Sequence, residues 1–98
     1  VGRRKQVYKI TYPNGKIYVG MDLTGSMLYF GSPSAAEQIA SEHELDRGDL
    51  TFTIRKEILW ESESATDAEV RAMEIKLIRD TGANNPDIGY NRIPRYRP

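Results

Sequence analysis

No cysteine occurs among the 98 residues, so the chain can form neither a disulfide nor a thiolate metal site, and its redox compartment stays open. Long apolar runs are missing too: the longest, 27–30, has four residues. A membrane span needs about 20 and the core of a secretory leader about 7–15, so neither lies in these residues. Net charge is also absent, with 14 Lys and Arg against 14 Asp and Glu, so no overall field gathers a polyanion. There is no internal repeat, low-complexity tract or zinc module, and only one histidine, His43.

What is present suits one domain, 1–98, with a single modest core. The chain opens on Val1 rather than Met, as expected of a domain excised from a longer protein. Its balanced charge is unevenly placed. Arg3, Arg4 and Lys5 stand near the start, Arg92, Arg95 and Arg97 near the end, and the acids fall mostly in 37–49 and 61–74. The basic ends are thus 1–6 and 92–98. Brought together they would form the patch a nucleic acid requires; held apart they are solvated tails.

Two β-prone runs, 7–12 and 17–20, flank Pro13, Asn14 and Gly15, a hairpin signal. A two-residue Asn14-Gly15 turn would pair Tyr12 with Ile17 and put Tyr8 and Tyr18 on opposite faces. A three-residue loop would pair Tyr12 with Lys16 and Ile10 with Tyr18, placing Tyr8, Ile10, Tyr12 and Tyr18 on one face. Proline presets the first turn position and glycine tolerates a left-handed third, so the longer loop is expected. Two adjacent phenols then serve either packing or a reaction.

A connector, 21–31, follows, its apolar patch 27–30 being a short edge strand or a pinned loop. Ser32 as cap, Pro33 at the first helical position and Ala35, Ala36 and Ala40 predict a first helix, with Gly48 as its stop. Ala35, Ala36 and Ile39 form its apolar face, and His43 projects between Ile39 and Ala36. Alternation predicts a third strand over 50–60, with Leu50, Phe52, Ile54, Lys56 and Ile58 on one side; Lys56 marks one end as the edge of the core. After the loop 61–65, Thr66 and Glu69 make a capping box for a second helix that runs to Thr81 and stops at Gly82. The loop 83–91 and an irregular basic end complete the chain.

That second helix carries an anomaly. With Val70 set at zero, Leu77 falls at about −20°, Met73 at about −60° and Ile78 at about +80°, while Glu74 lies inside that arc at about +40°. An unpaired carboxylate in a core costs several kcal/mol. Glu74 therefore sits at a rim in water, pairs with a buried Arg or Lys, or serves a pocket as metal ligand or acid.

Val7-Tyr8-Lys9-Ile10, a glycine-containing turn and Lys16-Ile17-Tyr18-Val19-Gly20 together resemble the defining motif of the GIY-YIG nucleases. Gln6 stands where that family usually has glycine. The stretch 69–78, with Glu74 before an apolar turn, resembles the family's late helix, and Gly89-Tyr90-Asn91 its terminal segment. The resemblance implies a small α/β fold of α+β type: a three-stranded antiparallel sheet flanked by helices. It implies hydrolysis of phosphodiesters with one divalent ion, Mg²⁺ or Mn²⁺, held by Glu74. Tyr8 and Tyr18 would be the site phenols, one acting as base or as positioner of the nucleophile, and Asn91 would close the site through its amide. The family's usual first-helix arginine is missing, Gln38 or Ile39 standing in its place. Such a loss typically costs on the order of a hundredfold in rate. His43 or Arg55 would replace it, or the activity is crippled.

The leading expectation is a metal-dependent endonuclease with a nucleic-acid partner, DNA rather than RNA, no membrane partner, and an intracellular, cytoplasmic location. Arg3, Arg4, Lys5, Lys16, Arg92 and Arg95 are the candidate phosphate contacts, and Tyr8, Tyr18, His43, Glu74 and Asn91 the candidate catalytic residues. A module that binds nucleic acid without cutting it is the alternative. A protein-interaction domain using the 27–30 patch comes third.

Overall fold

Pro13, Asn14 and Gly15 fold β1 (Lys5–Thr11) back onto β2 (Ile17–Asp22) in the computed structural model of the chain. Gly15 takes φ 86°, the left-handed conformation glycine adopts freely. Its amide donates to the Tyr12 carbonyl at 2.8 Å, and the Tyr12 amide donates to that of Lys16 at 3.0 Å. The Lys16 amide donates to Asn14 Oδ1 at 3.0 Å, which fixes the turn from within. The loop is therefore three residues long, and Ile10 faces Tyr18 as that reading expects.

The structure describes residues 4–26, 29–31, 33–44 and 53–98. Among them lie three strands and two helices: after the hairpin come α1 (Ala36–Glu44), β3 (Arg55–Ser62) and α2 (Asp67–Thr81). The sheet is antiparallel, in the order β2-β1-β3. This is a small α+β architecture. No helix among the described residues is long and apolar enough to cross a membrane.

β3 departs from the expected alternation. Leu50 and Phe52 lie outside the described residues. A register shift opposite Val7 and Tyr8 pairs Val7 with Trp60 but Tyr8 with Ile58, leaving Leu59 as an extra residue. Such a bulge reverses the phase of everything beyond it. Leu59 and Trp60 consequently join the cluster formed by Val7, Val19, Val70 and Ile78 under α2. Ile54 and Ile58, expected inside, are 41% and 44% exposed. Lys56 does sit at the core's edge, opposite Ile10 and on the face of Tyr8.

The second helix begins and ends where its caps predict. Thr66 Oγ1 accepts from the Glu69 amide at 3.2 Å, and Glu69 Oε1 accepts from the Thr66 amide at 3.1 Å. Gly82, at φ 75°, closes the other end with its amide directed at the Arg79 and Ile78 carbonyls. Thr66→Ala is expected to lower the unfolding free energy by about 1 kcal/mol. An unchanged urea midpoint would show that the cap contributes nothing.

On the first helix, Ala35, Ile39 and His43 form the buried stripe, while Ala36, expected on that face, is exposed. Ala35 and Ile39 pack against Tyr90 and Tyr12. Pro33 sits in the preceding turn, its carbonyl accepting from the Ala36 amide at 3.1 Å. Ser32 and Gly48, the expected cap and stop, lie outside the described residues, as do Met27 and Leu28.

The chain after α2 returns along the free edge of β2. The Ile17 amide donates to Ile88 O at 3.1 Å, and the Tyr90 amide donates to Ile17 O at 2.9 Å. One step further the Asn91 side chain takes over: Oδ1 accepts from the Val19 amide at 2.8 Å, and Nδ2 donates to Val19 O at 2.8 Å. The edge donors and acceptors of Ile17 and Val19 are thus covered by a loop and one side-chain amide.

Candidate active site

Val70, Glu74 and Ile78 recur every four residues and are the buried residues of α2, so the carboxylate occupies the centre of the packed stripe. Glu74 is only 6% exposed, deeper than a side chain standing in bulk water. Arg71, one turn earlier, donates to Glu74 Oε1 at 2.5 Å with its own side chain half exposed. Glu74 Oε2 has no partner among the described residues. Burial pushes the Glu74 carboxyl above the ordinary 4.5, and Arg71 opposes that rise only in part.

Glu74 forms one wall of a cleft of about 150 Å³, with Tyr18, Ser34, Arg71, Asn91 and Arg92 around it. Three of the five expected catalytic residues therefore meet here: Tyr18, Glu74 and Asn91. The Asn91 amide is committed to Val19 on both of its sides, so it shapes the cleft by holding its wall to β2.

Tyr8 stands behind Tyr18, the rings edge to face with centroids 6.4 Å apart, on the shared face the turn predicts. It is 1% exposed and does not line the cleft. Its hydroxyl lies against Gly20 and Gly31, where an added Cβ on either would collide with it. Tyr29 packs against its ring at 6.1 Å, and Lys56 Nζ lies 4.8 Å from its centroid. Lys56 is held there by the Tyr29 and Ser26 carbonyls, at 2.6 and 3.3 Å. Burial, then the neighbouring phenols and carboxylates, push Tyr8 upward. Burial, followed by the Glu74 charge, pushes Tyr18 up to about 12. At neutral pH both phenols keep their protons. Neither is therefore a ready base.

His43 is placed elsewhere. Its Nδ1 lies 2.7 Å from Ile39 O, a pure acceptor, so that nitrogen carries the proton. Nε2 accepts from the Asn14 amide at 3.4 Å, and the ring packs on Tyr12 at 5.9 Å. It does not line the Glu74 cleft. Arg55 is exposed beside Glu57, 3.7 Å away, and does not reach the cleft either. The guanidiniums at this cleft are instead Arg71 and Arg92. Arg71 was legible in principle, since three residues of separation stack it on Glu74. Lys56 showed itself only as a break in the β3 pattern.

Of the expected phosphate contacts, Arg4 is bound to Glu61 and Glu63 at 2.6 and 3.0 Å, and Lys5 to Asp67 at 2.7 Å. Lys16 lies 3.5 Å from Glu42 and 5.4 Å from the centre of the Tyr90 ring. Arg3 lies outside the described residues. The N-terminal cations described are therefore neutralised locally, while Arg92 and Arg95 have no ion pair among the described residues.

Asp22, at the end of β2, organises the loop that follows. Oδ1 accepts from the Thr24 amide and hydroxyl at 2.8 and 2.6 Å and from the Gly25 amide at 3.2 Å; Oδ2 accepts from the Ser26 amide at 2.8 Å. Burial raises this carboxyl, but the hydrogen bonds outweigh it and hold it below the ordinary 3.8. A depressed carboxyl contributes stability above its unfolded pKa and loses it as pH falls through the folded value. The stability difference between the native chain and Asp22→Asn should therefore shrink between pH 7 and about pH 3 in urea unfolding. A difference independent of pH would contradict the assignment.

A single carboxylate, with one oxygen unpartnered among the described residues, is a donor of the kind Mg²⁺ takes, since that ion usually binds only one or two carboxylates. No cluster of three or more His, Cys, Asp or Glu that could hold a metal occurs among the described residues. Comparison of the chain with protein-family models, with curated proteins and with solved structures finds no match.

Proposed function

We propose that the chain is a divalent-metal-dependent endonuclease of the GIY-YIG type, hydrolysing phosphodiester bonds in nucleic acid, DNA rather than RNA. An intracellular, cytoplasmic setting goes with that substrate. The observation that carries the reading is Glu74: a largely buried carboxylate, one oxygen of which has no partner among the described residues, in a cleft it shares with a phenol and two guanidiniums. An apolar side chain there would stabilise the fold more, so the position is held for chemistry rather than packing.

Glu74 would hold Mg²⁺ or Mn²⁺ through its free oxygen. When bound, the ion polarises the phosphoryl oxygen and stabilises the departing alkoxide. The chain's own groups do the rest. Tyr18 keeps its proton and donates to the attacking water or to a phosphoryl oxygen, orienting it. Arg71 and Arg92 offer positive charge to the oxygens on which charge builds, a role the first helix leaves unfilled. Tyr8, backed by Lys56, keeps Tyr18 in place. Asn91 ties the Arg92 segment to β2 and so sets the width of the cleft.

A second reading has one observation in its favour. Arg71 already clasps Glu74, as it would in a module of this fold that binds nucleic acid without cutting it. Nicking of supercoiled plasmid with Mg²⁺ or Mn²⁺, compared between the native chain and Glu74→Gln, separates the two. Metal-dependent nicking that the variant loses supports the nuclease. Binding without nicking in both supports the module, and equal nicking in both overturns the catalytic assignment.

A further inference from the structure

Positive charge in this chain is mostly matched where it stands. Arg4, Lys5, Lys9, Lys16, Arg55, Arg71 and Lys76 each face a carboxylate within 4 Å, and Lys56 faces two carbonyls. Four arginines make no ion pair among the described residues: Arg79, Arg92, Arg95 and Arg97. All four belong to the last turn of α2 or to the segment after Asn91. Three of them line a groove of about 580 Å³, together with Asn84, Pro94 and Tyr96. Like charges gathered without counter-charge repel one another, so the arrangement gains from an anionic occupant.

The groove is framed rather than loose. Asn84 Nδ2 donates to Pro94 O at 2.9 Å, fixing the segment against the end of α2. Asn91 anchors the same segment to β2. Between these ties lie Arg92 and Ile93, which line the Glu74 cleft, and the next residues, Pro94 and Arg95, line the groove, so the two follow one another along one short piece of chain. Tyr96 is 38% exposed and offers a ring among the guanidiniums. A cationic groove with an aromatic platform is the combination that holds single-stranded nucleic acid, charge tracking the backbone and the ring stacking a base. An acidic peptide or a free anion would use the arginines but leave the ring idle.

We propose that this groove holds a single-stranded stretch of nucleic acid on its way to the Glu74 cleft, with phosphates on Arg79, Arg95 and Arg97 and a base stacked on Tyr96. The inference rests on the nuclease reading only for the direction of the strand. Its test is fluorescence anisotropy of a labelled single-stranded DNA of about 12 nucleotides, titrated with Glu74→Gln protein over a range of salt.

Each Arg→Gln change at Arg79, Arg95 or Arg97 should flatten the slope of log K against log salt by about 0.7, and the triple change by about 2. Tyr96→Ala should weaken binding about tenfold, and Tyr96→Phe should restore it. All four side chains are exposed, so the variants keep the fold. Lys76→Gln, on a lysine 2.6 Å from Asp80, should change nothing.

No binding at low salt, or a triple variant with the parent's slope, overturns the inference. Equal displacement of the DNA by polyglutamate overturns the nucleic-acid assignment of the groove. If the slopes behave as stated and the native chain fails to nick plasmid, the groove stands and the nuclease reading falls. If the native chain nicks and the triple variant binds and nicks equally well, the groove falls and the nuclease stands.

Discussion

Glu74→Gln is expected to lower metal-dependent cleavage by about a hundredfold or more while leaving the chain at least as stable as before. The two effects have opposite signs because, under the proposed function, one charge serves two purposes. In catalysis, the neutral amide oxygen is a much weaker ligand to a hard cation than a carboxylate. In folding, the carboxylate is a burden: it is buried, and its only partner among the described residues, Arg71, is half exposed and can be hydrated without it. Glutamine keeps an acceptor for Arg71 and removes the buried charge, so the unfolding free energy at pH 7 should rise by about 1 kcal/mol.

The pH dependence distinguishes this from a general packing effect. The Glu74 carboxyl is raised above 4.5 in the folded chain. Its favourable contribution is complete below the unfolded pKa and is lost as pH rises through the folded one. The variant's advantage should therefore vanish at about pH 3–4 and be complete at pH 7. Urea unfolding at both values, alongside plasmid nicking, measures both halves. A variant that is inactive and also much less stable would mean that Glu74 holds the fold together. A variant that is more stable and fully active would mean that it does no chemistry.

Gly89→Ala should lower the unfolding free energy by about 3 kcal/mol. The cause is space. An added Cβ would run into the Ala83 carbonyl oxygen and lie 2.7 Å from both Ala83 Cα and Ile17 O. All three are backbone atoms, which cannot swing aside as a side chain would. Residue 89 is where the returning chain meets β2, so relief of the clash must lift that segment away from the edge strand. The Ile17 and Val19 amides would then lose Ile88 O and Asn91 Oδ1 as acceptors.

Hydrogen exchange at those two amides should accelerate along with the loss of stability. Gly15→Ala is the control: nothing lies within 4 Å of its added Cβ, and only its φ of 86° opposes the change, at about 1 kcal/mol. Equal stability losses at Gly15 and Gly89 would show that segment docking is not what Gly89 protects. Cleavage should fall with Gly89→Ala as well, because Asn91 and Arg92 move with the segment.

Features set by neighbouring residues could be read from the chain itself. Pro13, Asn14 and Gly15 dictate a three-residue loop, and the loop puts Tyr8 and Tyr18 on one face. Thr66 and Glu69 begin α2, Gly82 ends it, and helical spacing points Glu74 inward. Each depends on backbone preferences a few residues long, which the sequence carries directly.

Other features depend on contacts between distant parts of the chain. The bulge at Leu59 exists only because β3 pairs with β1, and it exchanges the buried and exposed residues of half a strand. Tyr18 opens on the cleft while Tyr8 lies beneath it. Two basic ends that look alike in sequence diverge, because Arg4 and Lys5 meet acids some 60 residues away whereas Arg92, Arg95 and Arg97 meet none among the described residues. Electrostatics and packing act through space, and only the folded chain says which charges and rings become neighbours.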